Sequence, residues 1–278
     1  MTYTIRKDAG KYQIDKKAAF CELLSRKLPL NAKKITELLD DFDRKVREDF
    51  PGTTQNALNN CHGDWYEWII AICAWNLYAR SNSKTLVLKT PNITKFDVSR
   101  FYIDRFYDLI ADLRKKVSET TSVQLITSNP DFVIINPAGL KVPLNLKKPI
   151  EEITPEVLVM IDDAYKAFTG ICSIENVIGY ISAKTSFRPD RRLQIPHEGS
   201  LMKALYAHIA TREWNRNLKG LKYYAIATEV KPPDEKALRT LATHSIVNVQ
   251  TTPEAAVDAV FSANSLNDLE RAFGRILS

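Results

Sequence analysis

The sequence predicts an α/β fold, with a mixed β-sheet core flanked by helices and preceded by a helical subdomain. Three observations lead there. In the first third of the chain, apolar residues recur at helical spacing in successive stretches. From about residue 122 the pattern turns to short, β-branched apolar runs alternating with helical stretches, as a sheet with crossover helices requires. The connections are short, so the helical part, 1–120, is expected to pack on the core, 121–278, and not to form a free module.

The elements follow in order. Asn31 has an N-cap side chain, and Ile35, Leu38, Leu39, Phe42 and Val46 then fall on one helical face. A second helix, about Asp64 to Tyr78, is so rich in Trp and Ile that it must be largely buried. A third, roughly Val98 to Val117, carries Tyr102, Phe106, Leu109, Ile110, Leu113 and Val117 as its stripe. SVQLITSNPDFVIINP reads as strand, break, strand, closed by Asn136-Pro137. Thr154-Pro155-Glu156 is a cap with proline at the first helical position, opening a helix to about Phe168. NVIGYISAK reads as a strand, and Gly199 to about Trp214 as a helix. YYAIATEV and HSIVNVQ read as buried strands. Thr252-Pro253-Glu254 is expected to open a final helical region, split near Asn264.

Bulk properties narrow the function classes. With 278 residues, 45% hydrophobic and 26% charged, the chain has the makeup of a soluble globular protein and not of a disordered one. A net charge of +6 is compatible with a polyanionic partner. Cys21, Cys61, Cys73 and Cys172 are scattered and read as buried free thiols; no histidine stands at zinc-ligand spacing from them. The polar N-terminus lacks a signal peptide's apolar core, and no window approaches the ~20 apolar residues of a membrane span. A soluble, cytoplasmic protein is the expectation.

The informative stretch runs from Ser182-Ala183-Lys184 through Arg188-Pro189-Asp190-Arg191-Arg192 to Glu198. Residues 184–192 hold four cations and one anion, just beyond a buried strand. Phosphodiester hydrolysis explains such a grouping. A hard divalent cation held against the phosphate needs at least two converging carboxylates, and a nearby lysine can orient water and offset developing charge. Pro130-Asp131, at the start of DFVIINP, supplies a further acid on a strand that could pair beside NVIGYISAK. Fifty-two residues separate Asp131 from Lys184, and thirteen separate Lys184 from Glu198.

These residues resemble the PD-(D/E)XK nucleases, and specifically the CCGG-recognising branch of type II restriction endonucleases. In that branch the acid two residues before the lysine is replaced by Ser, here Ser182, and a downstream Glu, with thirteen residues between it and the lysine, takes its place, here Glu198. An Arg-(Ser/Pro)-Asp-Arg segment follows the lysine, here Arg188-Pro189-Asp190-Arg191. The motifs cover residues 130–198, with looser similarity elsewhere. The resemblance implies that Asp131 and Glu198 ligate Mg²⁺, or Mn²⁺ as substitute, and that Lys184 positions water. It also implies a further metal-ligating Glu on an N-terminal helix, for which Glu67 fits best. Ser182 is a structural neighbour.

By the same resemblance Arg188, Asp190 and Arg191 read the CCGG core. Their chemistry agrees, since arginine donates two bonds to guanine and Asp accepts from cytosine N4. Arg192 and Lys203 are expected to touch phosphate, and Gln55, in the Pro51–Asn56 loop, to reach the minor groove. A palindrome read by a twofold protein implies a homodimer on double-stranded DNA, with a tetramer also allowed. Cutting is expected before the first C, leaving four-base 5′ overhangs, in a bacterial or archaeal cell whose cognate methyltransferase protects the host DNA. Two alternatives stay open: another PD-(D/E)XK nuclease acting in repair or recombination, and a DNA-binding protein without catalysis.

Overall fold

Five short, mostly apolar runs build the central sheet of the computed structural model, which describes residues 5–8, 11–29, 31–81, 84–127, 129–214, 219–247 and 252–277. The chain opens with a hairpin, β1 (Ile5–Asp8) and β2 (Lys11–Ile14). Then come α1 (Lys16–Leu23), α2 (Ile35–Asp49), α3 (Gln55–Arg80), β3 (Leu86–Lys89) and α4 (Asp104–Thr121). The rest alternates: β4 (Phe132–Ile135), α5 (Pro155–Asp163), β5 (Val177–Lys184), α6 (Pro189–Arg212) and β6 (Lys222–Ala227). It closes with α7 (Pro232–Leu238), α8 (His244–Val247), β7 (Ala259–Ser262) and α9 (Leu266–Ile276).

The sheet runs β3-β4-β5-β6-β7 in space. β3, β4 and β5 pair antiparallel, and β5, β6 and β7 pair parallel, so the sheet is mixed as expected. A parallel pair needs a long connection, and α6 is that connection between β5 and β6. Gly179 lets those two strands close up, because a Cβ there would lie 2.8 Å from the Lys222 carbonyl oxygen.

Helix α3 is the buried axis of the N-terminal half. Trp65, Tyr66, Trp68 and Trp75 are all buried on it. Burying them is tolerable because each polar end finds an acceptor. Trp65 donates to the Lys16 carbonyl at 3.0 Å, Trp75 to that of Lys148 at 2.9 Å, and Tyr66 to that of Ala263 at 2.9 Å. One apolar cluster runs from Ile14 to Ile276, and all four cysteines are buried in it as free thiols, as expected.

Several expectations need correction. Helix α2 begins at Ile35 after Lys34, which gives no side-chain cap, so Asn31 is not its cap. The cap comes from a distance: the Asn264 carbonyl accepts from the Ile35 amide at 2.7 Å, and its side chain accepts from Thr36 at 2.9 Å. The second helix starts at Gln55, nine residues early, because Thr54 caps it through the Ala57 amide. The third breaks into a 3₁₀ turn, Val98–Phe101, and α4. Residues 122–127 form no strand, and 128 lies outside the described residues. Helix α6 starts at Pro189, not Gly199, since proline suits the first helical position. His244–Val247 is a helical turn, and the rest of that expected strand, 248–250, lies outside the described residues. The segment after Thr252 is extended and becomes β7, with α9 beginning only after the Ser265 cap. The hairpin β1–β2 and the edge strand β3 were not anticipated. The strands at Phe132 and Val177, the Thr154 cap and β6 stand where expected.

Helix α6 is driven hard against the segment before β7. A Cβ on Gly199 would lie 2.3 Å from the Ala256 carbonyl oxygen, so only glycine fits there. In an open helix Gly→Ala stabilises by about 1 kcal/mol. Here Gly199→Ala is expected to destabilise by about 1–3 kcal/mol through overpacking, read as a lowered Tm in a calorimetric melt; an unchanged or raised Tm contradicts the close contact.

Candidate active site

The β4–β5 register builds the centre. Phe132 sits opposite Ile181, which leaves Asp131, one residue before β4, facing the last residues of β5. Its carboxylate is held from three sides. Oδ2 accepts from the Ala183 amide at 2.7 Å and from the Lys184 ammonium at 2.7 Å, with Ser182 Oγ at 3.4 Å. Lys184 also reaches Oδ1 at 3.0 Å. Burial works to depress the Lys184 pKa, but the Asp131 charge and hydrogen bond outweigh it and the net shift is upward. Lys184 is therefore a fixed cation, and Ser182 lies buried beside the same carboxylate.

Glu198 arrives from α6. It is buried at 4% exposure, yet both its oxygens are satisfied. Gln194 Nε2 donates to Oε1 at 2.7 Å from one turn earlier, and the buried Tyr223 hydroxyl of β6 donates to Oε2 at 2.9 Å. Burial first, and then the Glu198 charge, raises the Tyr223 pKa far above its ordinary value, so the phenol stays a donor. Glu67, in mid-α3, faces Lys89 at the end of β3, with Nζ 3.2 Å from Oε2. Burial and the Asp131 charge push the Glu67 pKa up, against the pull of Lys89.

Glu67, Lys89, Asp131, Lys184, Arg191 and Glu198 all line one cavity of about 830 Å³. The structure thus brings together the three expected acids and the expected lysine. Lys89, Gln194 and Tyr223 were missed, because their contribution is set by strand and helix neighbours far apart in sequence. Only Gln194, four residues before Glu198 on one helical face, left a signal that spacing could have found.

Of the expected readers, Arg188 and Asp190 stand exposed at the start of α6, at 66% and 59%, and Arg191 is half-buried. Arg191 donates to Gln194 Oε1 at 2.9 Å, so a chain of bonds joins it to Glu198. Lys203 needs correction. It is buried at 2%, and its ammonium is spent on Asp258 at 2.8 Å, Glu254 at 3.1 Å and the Ala255 carbonyl at 2.7 Å, so it faces no phosphate. A lone buried charge would be costly, and these partners are what make it tolerable. Arg192 is likewise engaged inward, 2.5 Å from the buried Asp234 of α7. Gln55 is not in a loop but opens α3, with its amide bonded to Arg47, to Asp43 at 3.3 Å and to Asn59 at 3.0 Å.

The mixed sheet presents an acid and a lysine at adjacent strand ends, with further acids from two helices, and the chain's relatives make it a type II restriction endonuclease. The chain belongs to the Cfr10I/Bse634I restriction endonuclease family, whose model matches residues 3–278. It is 41% identical over 280 residues to the type II restriction enzyme Cfr10I of Citrobacter freundii, covering 98% of this chain and 97% of that one. Among solved structures, the type IIF restriction endonuclease Bse634I with cognate DNA superposes with a TM-score of 0.91 at 34% identity, over 99% of this chain and 97% of the other. A second Bse634I structure gives 0.89 at 35% identity, with the same coverage.

Enzymes of this family generally need divalent metal ions. The donor set here suits a hard cation: carboxylate oxygens with no thiolate or imidazole among them. As the side chains stand, no three His, Cys, Asp or Glu groups among the described residues converge on one metal position. Ammonium groups pair with two of these acids, Lys184 with Asp131 and Lys89 with Glu67.

Tyr223→Phe keeps the buried ring and removes the donor to Glu198. The expected result is a stability loss of about 1–3 kcal/mol, for a buried carboxylate oxygen left unpaired, with DNA cleavage slowed by about 10- to 100-fold. Chemical denaturation and single-turnover cleavage measure the two, and a variant unchanged in both contradicts the positioning of Glu198 by Tyr223.

Proposed function

We propose that the chain is a Mg²⁺-dependent endonuclease that cuts double-stranded DNA at a palindromic site with a CCGG core, before the first C, to leave four-base 5′ overhangs. The observation that carries this is the single cavity holding Asp131, Lys184, Glu198 and Glu67, with Arg191 of the Arg188-Pro189-Asp190-Arg191 segment on its wall. Bse634I has been solved with its cognate DNA, at a TM-score of 0.91 to this chain, which supports duplex DNA as the substrate.

In this reading Asp131, Glu198 and Glu67 hold Mg²⁺, with Mn²⁺ as a substitute. The bound ion supplies Lewis-acid polarisation of the scissile phosphate. Lys184, fixed by Asp131, donates to the attacking water or to the phosphate as charge grows there. Water adds in line at phosphorus and the 3′ oxygen leaves, so the new end carries the 5′-phosphate. Arg188 and Arg191 fork onto guanine O6 and N7, and Asp190 accepts from cytosine N4. The exposure of Arg188 and Asp190 at the start of α6 supports this. Gln55 serves the flanking pairs only by giving up its bonds to Arg47 and Asn59. The mainly helical part, 1–120, carries Glu67 and backs the catalytic and reading part, 121–278.

Two strands cut on a palindrome require two active sites, so a homodimer on DNA is the minimum assembly and a tetramer is compatible with it. No helix among the described residues is long and apolar enough to cross a membrane. We place the enzyme in the cytoplasm of a bacterium or archaeon, where a cognate methyltransferase protects the host genome.

Sequencing the ends of Mg²⁺-dependent plasmid fragments tests site and overhang together; ends lacking CCGG sink the reading. Asp131→Ala and Glu198→Ala are expected to abolish cleavage while the fold persists, and Lys184→Ala to lose several orders of magnitude in rate with cognate binding retained in Ca²⁺. Arg188→Ala or Arg191→Ala is expected to lose roughly 1–3 kcal/mol of discrimination per base pair. In a competition assay each then binds CCGG and scrambled duplexes almost equally, whereas wild-type preference in both variants removes the CCGG assignment.

A further inference from the structure

Lys89 is a largely buried cation of the cavity that the chemistry above leaves without a task. Its side chain is 12% exposed, and its Nζ lies between two carboxylates, 3.2 Å from Glu67 Oε2 and 3.4 Å from Asp162 Oδ1. β3 fixes it there, since Lys89 pairs with Phe132, the residue after Asp131. Asp162, on α5, is itself anchored. Lys17 lies 2.7 Å from its Oδ2, and the Trp68 indole donates to its Oδ1 at 3.0 Å. Among the described residues Lys89 is the one cation within ion-pair distance of Glu67, with Lys184 acting on it from further off.

From this geometry we infer that Lys89 is a resident counter-ion that occupies the cation place at Glu67 and withdraws onto Asp162 when a divalent metal ion binds. The inference rests on the proposed metal role of Glu67 and goes beyond it by naming what holds the site in its metal-free state. The physical argument is competition. Glu67 is buried, and an unpaired charge there is costly, so its ionised form needs a cation beside it. An ammonium and a metal ion cannot both sit on it, because like charges a few ångströms apart repel strongly in a poorly screened site. Nζ is already shared between the two carboxylates, so the withdrawal is a small swing of a flexible side chain toward an anchored acceptor.

Two variants act in opposite directions. Lys89→Met removes the competitor at nearly constant length, so the DNA-free protein is expected to bind Mn²⁺ more tightly, by roughly tenfold for a coupling of ordinary size. Asp162→Asn keeps an acceptor for Trp68 but weakens the place of withdrawal, so Mn²⁺ binding is expected to fall several-fold. Both are read by titrating Mn²⁺ and following the free ion by electron paramagnetic resonance. A melt with and without Mn²⁺ runs alongside: Lys89→Met is expected to melt lower than wild type without the ion and to gain more from adding it. Affinity that is unchanged or weaker in Lys89→Met, or unchanged in Asp162→Asn, overturns the inference. Glu67→Gln separates its failure from that of the metal reading. If Glu67→Gln binds Mn²⁺ as wild type does, Glu67 is no ligand; if Glu67→Gln loses the ion while Lys89→Met matches wild type, only the counter-ion role is wrong.

Discussion

Charge brought into the interior must be paired, and this constraint organises the molecule around the antiparallel union of β4 and β5. That union sets Asp131 against the Ala183 amide and the Lys184 ammonium at 2.7 Å each. The remaining charges of the cavity obey the same rule in turn. Glu198 is met by Gln194 and Tyr223, and Glu67 by Lys89, itself steadied by Asp162. Had the register slipped by one residue, Asp131 would face away and Lys184 would stand buried without its partner. Register and chemistry are one specification here.

Packing supplies what hydrogen bonds alone could not. Glu198 can lie deep because α6 is pressed inward at Gly199, where a side chain would strike the Ala256 carbonyl. The same stretch, 254–258, absorbs the buried Lys203 charge and, through Asp258, binds the Tyr223 amide at 2.8 Å. One short segment before β7 therefore fastens both the helix that bears Glu198 and the strand that bears the phenol holding it.

Much of the site was legible in the sequence because its members sit at fixed chain distances: Asp131 opening an apolar run, Lys184 ending one, Glu198 following after thirteen intervening residues. Strands as apolar as VIGYISAK and caps as plain as Thr154-Pro155 are local signals, and the structure agrees with them. What escaped is what tertiary contacts decide. Asn264 caps α2 across most of the chain's length, which no window of sequence displays. LVLK is too short to stand out as a strand, so β3, and Lys89 with it, went unread. Lys203 looked like a surface base because composition says nothing of three distant partners waiting for it. The helical reading after Thr252 failed because a proline cap signal preceded a segment that pairs with β6 as β7.

Arg191 and Glu198 ride on the same α6. The seven residue steps of helix between them, with Pro196 in their midst, make a spacer of about 10 Å, at ~1.5 Å per residue. On the proposed reading, the offset between the bases that are gripped and the bond that is broken is a length of helix, not a property of a hinge. Variation confined to the exposed first turn can then redirect which sequence is chosen while the stagger of the cut stays the same. Moving the cut would require inserting or deleting within α6, which rotates Glu198 by about 100° per residue out of the reach of Tyr223. Choice of site can drift in such a scaffold, while the pattern of ends it leaves is inherited intact.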